Sequence, residues 1–274
     1  MLTTEVENYP GFPHGVTGPR MMELFREQAE RFGTISREVD VTRCDFSRRP
    51  LQLTTGEGDV VAAQSVIIAT GATANWLGVP NELRLARSGG GVSACAVCDG
   101  ALPAYRGQEL AVVGGGDTAM EEATYLTKFA STVHVIHRRD SFRASQTMQQ
   151  RLLAAGNVKV HWNQEVTEVL GDDVITGVRL RDTRSGTEST MKAKGLFIAI
   201  GHSPATGFLS GSGVELDDKG YVSLGSRSSR TNIEGVFAAG DVADSAYRQA
   251  VTAAGMGCQA ALDAERWLAA QGVH

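Results

Sequence analysis

Residues 109–130, "ELAVVGGGDTAMEEATYLTKFA", decide the fold. They read as a buried strand, a glycine turn and a helix that spaces Met120, Ala123 or Thr124, and Thr127 along one side. Within the stretch, "VVGGGDTA" places Gly114, Gly116 and Ala119 at the first, third and sixth positions of a dinucleotide fingerprint. The first glycine allows the tight turn, the second lets backbone approach a pyrophosphate, and the small sixth residue permits close helix packing. The helix amides then receive the phosphates. "GGGVSA" at residues 89–94 fits the same pattern formally, but it follows "LRLARS", which is no buried strand, and is rejected.

Outward from this turn, "STVHVIHRR" is the next strand, "RASQTMQQRLLAAG" the next helix and "NVKVHW" a further strand. That βαβ series is the sign of a parallel sheet. Antiparallel strands are expected from Gln164 to Lys194, with "DTRSGTEST" as a hairpin turn, and "GLFIAIGHSP" then supplies an apolar strand ending in glycine. "GVFAAGD" is another such strand, followed by a long helix from about Tyr247 to Ala270. On the N-terminal side, "GPRMMELFREQAERFG" is a helix opened by Pro19 and closed by Gly33, with Met22, Phe25 or Arg26, and Ala29 on one face. β-like runs at residues 35–46, 51–54 and 65–70 follow, the last ending "IIATGA" with a turn at Gly71.

The bulk numbers fit two domains or one large α/β unit. A chain of 274 residues exceeds a typical single domain, and 42% hydrophobic with 21% charged residues is ordinary globular composition. No apolar run is long enough to span a membrane, and no signal-peptide pattern opens the chain, so a cytoplasmic location is expected. The net charge of -5 offers no field for nucleic acid.

A NAD site would place an acid about 20 residues after the glycine turn. Here the strand ends in "HRRDSFR", and His137, Arg138, Arg139 and Arg143 offer cations suited to a 2′-phosphate, which favours NADPH. The alternative is a solvated basic patch.

"SACAVCDG" holds Cys95 and Cys98 at the CxxC spacing, followed by Asp99. A structural zinc site wants four ligands, but only this one pair exists, with Cys44 and Cys258 alone, so no metal is expected. Beside the alternative of two buried, inert cysteines at this spacing by chance, thiol–disulfide exchange is the remaining chemistry, with Asp99 as proton donor and acceptor or, equally, a helix cap. Nicotinamide gives up a hydride and thiols exchange through thiolates, so a carrier such as flavin is needed between them.

"ENYPGFP", "ATGA", "CAVCDG", "VVGGGDTAMEEA", "HRRDSFRAS", "GVFAAGD" and "YRQAVTAAGMGCQAALDAERWL", in this order, closely resemble the bacterial-type low-molecular-weight thioredoxin reductases. The resemblance covers Thr3 to Leu268. "CAVCDG" departs from the commoner "CATCDG" at Val97, a change expected to be tolerated.

The resemblance implies an oxidoreductase of cell redox homeostasis in which electrons pass from NADPH through FAD and a dithiol to thioredoxin. Cys98 would face the flavin, Cys95 would exchange with thioredoxin, and Asp99 would be the acid/base. Gly114, Gly116, Asp117, Thr118, Ala119, His137, Arg138, Arg139 and Arg143 match the NADPH site. Asn8, Gly71, Gly240, Asp241, Arg248, Gln249 and Ala250 match the FAD site. Two Rossmann-like domains are implied, with an NADPH domain at residues 77–201 inserted into an FAD domain made of residues 1–76 and 202–274, in a homodimer whose domains rotate. Related disulfide reductases with another small partner are the alternative, as is a flavin-free NADPH-binding form without activity.

Relatives begin with a strand, a GxGxxG turn and a helix that cradle the ADP half of FAD, and the counterpart of "TTEVENYPG" follows. That unit is not among these residues, so the FAD domain is N-terminally incomplete here. Either a further segment precedes Met1 or the unit is absent. In the second case weak FAD binding, an intact NADPH domain and exposed strand edges are expected.

Overall fold

The structure is a computed structural model, and it describes residues 5–226 and 228–273. The chain divides into two compact units, one formed by residues up to Gln28 with Ala74–Gly201, the other by residues 29–73 with those from His202 onward. The opening segment through Gln28 therefore groups with the glycine-turn unit, although sequence reading joins it to the later part of the chain.

The first unit is built on a five-stranded sheet in the order Val158–Trp162, Thr132–His137, Glu109–Val113, Gly195–Ile198, Val92–Ser93, with every neighbouring pair parallel. Strands buried on both faces read as continuous apolar runs, and "LAVV" and "GLFI" do so. Alternate residues separate the two faces. Leu110, Val112, Val133, Val135 and Phe197 pack under Ala119, Met120, Ala123 and Leu126 of the Asp117–Leu126 helix and Leu152 of the Gln146–Leu153 helix. Ala111, Val113, Ile136, Leu196 and Ile198 pack instead against Val166, Val169, Val178 and Leu180. Those four come from an antiparallel layer of Gln164–Leu170, Gly177–Asp182 and Glu188–Lys192, as expected. Strand order reverses direction at Glu109–Val113, with one crossover to each side, and such a switch point opens a crevice at the strands' carboxyl ends.

The second unit holds an antiparallel sheet of Val41–Asp45, Leu51–Thr55 and Val60–Ala63, and a parallel pair, Val66–Ile68 with Val236–Ala238. Of the run expected from residue 35, only Val41–Asp45 pairs, and the residues before it make no ladder. The C-terminal helix begins at Ala250, three residues later than expected, because Gln249 and Thr252 form a reciprocal capping box there. In the Gly18–Arg31 helix the buried residues are Gly18 and Met21, while Met22 is 52% exposed, so the apolar stripe is offset by one position from the expected face.

Candidate functional site

The glycine turn is shaped by close approach. A Cβ on Gly114 would lie 2.5 Å from the Ala199 carbonyl oxygen and 2.6 Å from the Ala119 methyl, so both small residues are fixed by the contact between turn, helix and neighbouring strand. Gly116 has nothing within 4 Å of that position, which leaves its backbone open to a ligand. Gly115, not singled out by the fingerprint, is the tightest of the three: a Cβ there would lie 2.3 Å from the His137 ring.

A cleft of about 800 Å³ opens at this switch point, lined by Gly114, Gly116, Thr118, His137, Arg138, Arg139 and Arg143 among others. Of the expected nucleotide residues, Asp117 and Ala119 do not line it. The Asp117 carboxylate accepts the Ser145 N–H at 2.8 Å, and Ala119 is fully buried beneath the turn. Both shape the turn.

His137 corrects the expectation of a cation. Its ring is buried, its Nε2–H donates to the Ser141 carbonyl oxygen at 3.0 Å, and burial holds its pKa below the usual histidine value. It is a neutral ring that packs on Gly115. The positive charge comes from Arg138, Arg139 and Arg143, which are exposed and, among the described residues, have no carboxylate at salt-bridge distance. The acids nearby are already engaged: Asp140 with Arg184 at 2.6 Å, and Glu165 with Arg181 at 2.5 Å. Three uncompensated guanidinium groups at the cleft fit a dianionic 2′-phosphate.

In the same unit Cys95 and Cys98 are joined as a disulfide. Cys95 caps the short Ala96–Asp99 helix, its sulfur accepting the Cys98 N–H at 3.2 Å. Gly100 lets this turn pack on the Asp117–Leu126 helix, since a Cβ would lie 2.5 Å from both the Ala96 oxygen and Leu126. Asp99 is no helix cap. Its Oδ2 accepts from Ser93 Oγ at 2.5 Å, and burial raises its pKa above the ordinary carboxylate value despite that bond. Ser93, which sequence reading missed, also accepts the Cys95 N–H at 3.0 Å and so joins the acid to the cysteine. Val97, between the cysteines, is 51% exposed, in keeping with a tolerated change.

A profile described as "Pyridine nucleotide-disulphide oxidoreductase" matches residues 1–257. The chain belongs to the pyridine nucleotide-disulphide oxidoreductase family. It is 52% identical over 271 residues to the thioredoxin reductase of Mycolicibacterium smegmatis, covering 99% of this chain and 85% of that one. It is also 52% identical to thioredoxin reductase 1, mitochondrial, of Arabidopsis thaliana, over 97% of this chain and 72% of the relative. Among solved structures, thioredoxin reductase from Giardia duodenalis superposes with a TM-score of 0.91 at 44% identity, covering 98% of this chain and 86% of that one. These relatives share the two Rossmann-type domains of the α/β architecture.

In the second unit of this oxidoreductase, the parallel strands Val66–Ile68 and Val236–Ala238 deliver Gly71 and Gly240 beyond their carboxyl ends. Gly240 has φ +74°, which opens the short Gly240–Val242 turn. Asp241 follows it, with one carboxylate oxygen, Oδ1, buried and without a hydrogen-bond partner. Burial, and then the charge of Asp244, raises its pKa. An orphaned acceptor of this kind asks for a ligand hydroxyl. Arg248, at φ +49°, sends Nη1 to His202 Nδ1 at 2.5 Å. The histidine must accept that bond, and burial, with the guanidinium charge second, lowers its pKa to about 4. His202 was also missed in the sequence. Gln249 and Ala250 form the cap and first turn of the C-terminal helix, and Asn8 lies in an exposed turn after Glu5–Val6, in the other compact unit.

Cys44 is buried, and burial pushes its thiol up to about 11. Cys258 is exposed on the Ala250–Ala270 helix. Among the described residues no cluster of three or more potential metal ligands occurs.

Proposed function

We propose that the chain is an NADPH-dependent flavoprotein disulfide reductase that passes electrons from NADPH through FAD and the Cys95/Cys98 pair to the disulfide of thioredoxin or a thioredoxin-like protein. The observation that carries this reading is the Cys95–Cys98 disulfide beside Asp99, a carboxyl whose pKa burial raises, in the same unit as the glycine turn and its three uncompensated arginines. NADPH fits that cleft, with Gly116 open to the pyrophosphate and Arg138, Arg139 and Arg143 for the 2′-phosphate. FAD fits the second unit, where the orphaned Asp241 oxygen would accept from a polyol hydroxyl and the Gly71 and Gly240 turns would admit backbone approach. When bound, the nicotinamide supplies a hydride and the flavin converts it into the electron pair that a disulfide accepts.

The remaining chemistry belongs to the chain's own residues. Opening the Cys95–Cys98 bond takes two electrons and two protons, and Asp99 supplies one of those protons. Cys95 then gives up its proton and, as the thiolate, attacks the partner's disulfide; Cys98 in turn loses its proton and resolves the mixed disulfide, restoring the Cys95–Cys98 bond, and the two partner sulfurs, which leave as thiolates, take up the two protons as the reduced partner is released. The proposal assigns residues 77–201 to NADPH and residues 1–76 with 202–274 to FAD, in a cytoplasmic homodimer. The resemblance to thioredoxin reductases supports that arrangement. No described helix is long and apolar enough to cross a membrane.

Cys95→Ser tests the reading. Thioredoxin reduction is expected to fall to background while NADPH affinity, followed by titration, stays within about twofold of the parent. Retained turnover in this variant would overturn it.

A further inference from the structure

Ser93 is 7% exposed, and its single hydroxyl stands among three polar neighbours. Oγ lies 2.5 Å from Asp99 Oδ2, 3.0 Å from the Cys95 amide nitrogen and 3.4 Å from the Cys95 carbonyl oxygen. A hydroxyl has one hydrogen and two lone pairs. The Cys95 N–H occupies one lone pair throughout. When Asp99 is ionised, the serine hydrogen goes to the carboxylate. When Asp99 carries a proton, the acid O–H can donate across the same contact to the second lone pair, and the serine hydrogen turns to the Cys95 carbonyl. Neither state leaves a buried polar group unpaired.

We propose that Ser93 is a positioning residue, a hydroxyl rotor that satisfies Asp99 in both protonation states and so lets that carboxyl release and recover a proton beside the cysteine pair. The inference rests on the reading of Cys95 and Cys98 as a redox pair. As the Cys95–Cys98 bond opens, two electrons enter and two protons are taken up, one leaving Asp99 as the serine hydrogen swings onto the new carboxylate. On reoxidation by a partner disulfide, the proton and the hydroxyl return. Other titratable side chains on the packed elements are Tyr105, whose pKa is raised to about 12 by burial and then by the Asp99 charge, and, on the Asp117–Leu126 helix, the buried acid Glu122 and the half-buried Tyr125. Asp117 and Glu121 of that helix are exposed.

The test needs neither nucleotide, flavin nor thioredoxin. The chain is reduced with dithiothreitol, freed of it under nitrogen, and alkylated at Cys95 and Cys98 with iodoacetamide across a pH series. The wild-type rate profile is expected to contain an inflection that Asp99→Asn abolishes. Ser93→Ala removes a hydrogen bond to the ionised carboxylate and should move that inflection upward by about 1 pH unit. Ser93→Thr, which keeps the hydroxyl, should restore it. A structural role alone would change the rate at every pH and leave the inflection in place.

An unmoved inflection in Ser93→Ala, an equal shift in Ser93→Thr, or a wild-type profile without an Asp99-dependent inflection would each overturn the proposal. Ser93→Gly carries the same deletion if Ser93→Ala does not fold. A chain that shows the expected shifts yet reduces no thioredoxin would instead overturn the proposed function and leave the rotor standing.

Discussion

The two proposed nucleotide sites use opposite electrostatics. The cleft in the glycine-turn unit presents exposed, permanently charged Arg138, Arg139 and Arg143, while the strand ends of the second unit present half-buried groups whose charged forms burial disfavours, Asp241 with a raised pKa and His202 with a lowered one. A phosphate dianion rewards fixed cations that water has already solvated, whereas a ring and polyol reward buried hydrogen-bonding groups whose charges are costly to keep. The difference predicts different failures. Damage to the first site should be read in nucleotide affinity, and damage to the second in ligand retention and in the pH dependence of stability.

The sharpest way to break the comparison lies within the glycine turn itself. Gly115→Ala drives a methyl into the His137 ring, which is pinned to Ser141, and overpacking of this kind costs about 3 kcal/mol. Denaturant melts should show that loss, with NADPH binding lost alongside. Gly116→Ala, one residue on, meets open space, so it should leave the melt unchanged and weaken only NADPH. Equal stability of the two variants would refute the account of His137 as a packed neutral ring.

Removal of the cations should act on binding alone. Arg138→Ala, Arg139→Ala and Arg143→Ala each delete charge-assisted bonds worth about 2 kcal/mol, some thirtyfold in NADPH affinity, with little effect on NADH. Isothermal titration with the two nucleotides separates this from a general loss of fold. If NADH weakens equally, the arginines are a solvated patch, as the sequence alone allowed.

In the second unit, Asp241→Asn replaces a half-buried carboxylate, one oxygen of which is buried and unpartnered, with a neutral amide. Flavin retention through gel filtration should fall, while stability of the ligand-free chain should hold or rise by about 1 kcal/mol because a partly desolvated carboxylate is gone. A variant that keeps flavin as well as its parent would remove Asp241 from the ligand site.

Gly114, Gly116 and Ala119 were readable because the turn's demands are local, and the βαβ order followed from apolar runs spaced by helices. Gly115 and Ser93 were not, since each owes its role to a neighbour distant in sequence or folded back across a turn: the His137 ring for one, the Asp99 carboxylate for the other. His137 was read as a cation because composition shows a basic residue and cannot show that burial keeps it neutral. The one-residue offset of the Gly18–Arg31 stripe has the same origin. Met21 and Met22 are equally apolar in sequence, and only packing decides which is covered.

The smallest effect tests the neutral histidine of the second unit. His202 has a folded-state pKa of about 4 against an ordinary value near 6.5, so the unfolded chain binds its proton first. Its contribution to stability is therefore fully present above about pH 6.5 and is lost as the pH falls toward 4. Because the side chain is partly exposed, solvent screening reduces the effect to on the order of 1 kcal/mol. His202→Asn cannot take up the proton and should flatten the stability profile across that interval. His134, His137 and His161 in the other unit also have lowered values and set a background slope, so the comparison is between variant and parent. Parallel profiles would mean that Arg248 does not hold His202 neutral, and that the second site keeps a titrating cation much as the first keeps its arginines.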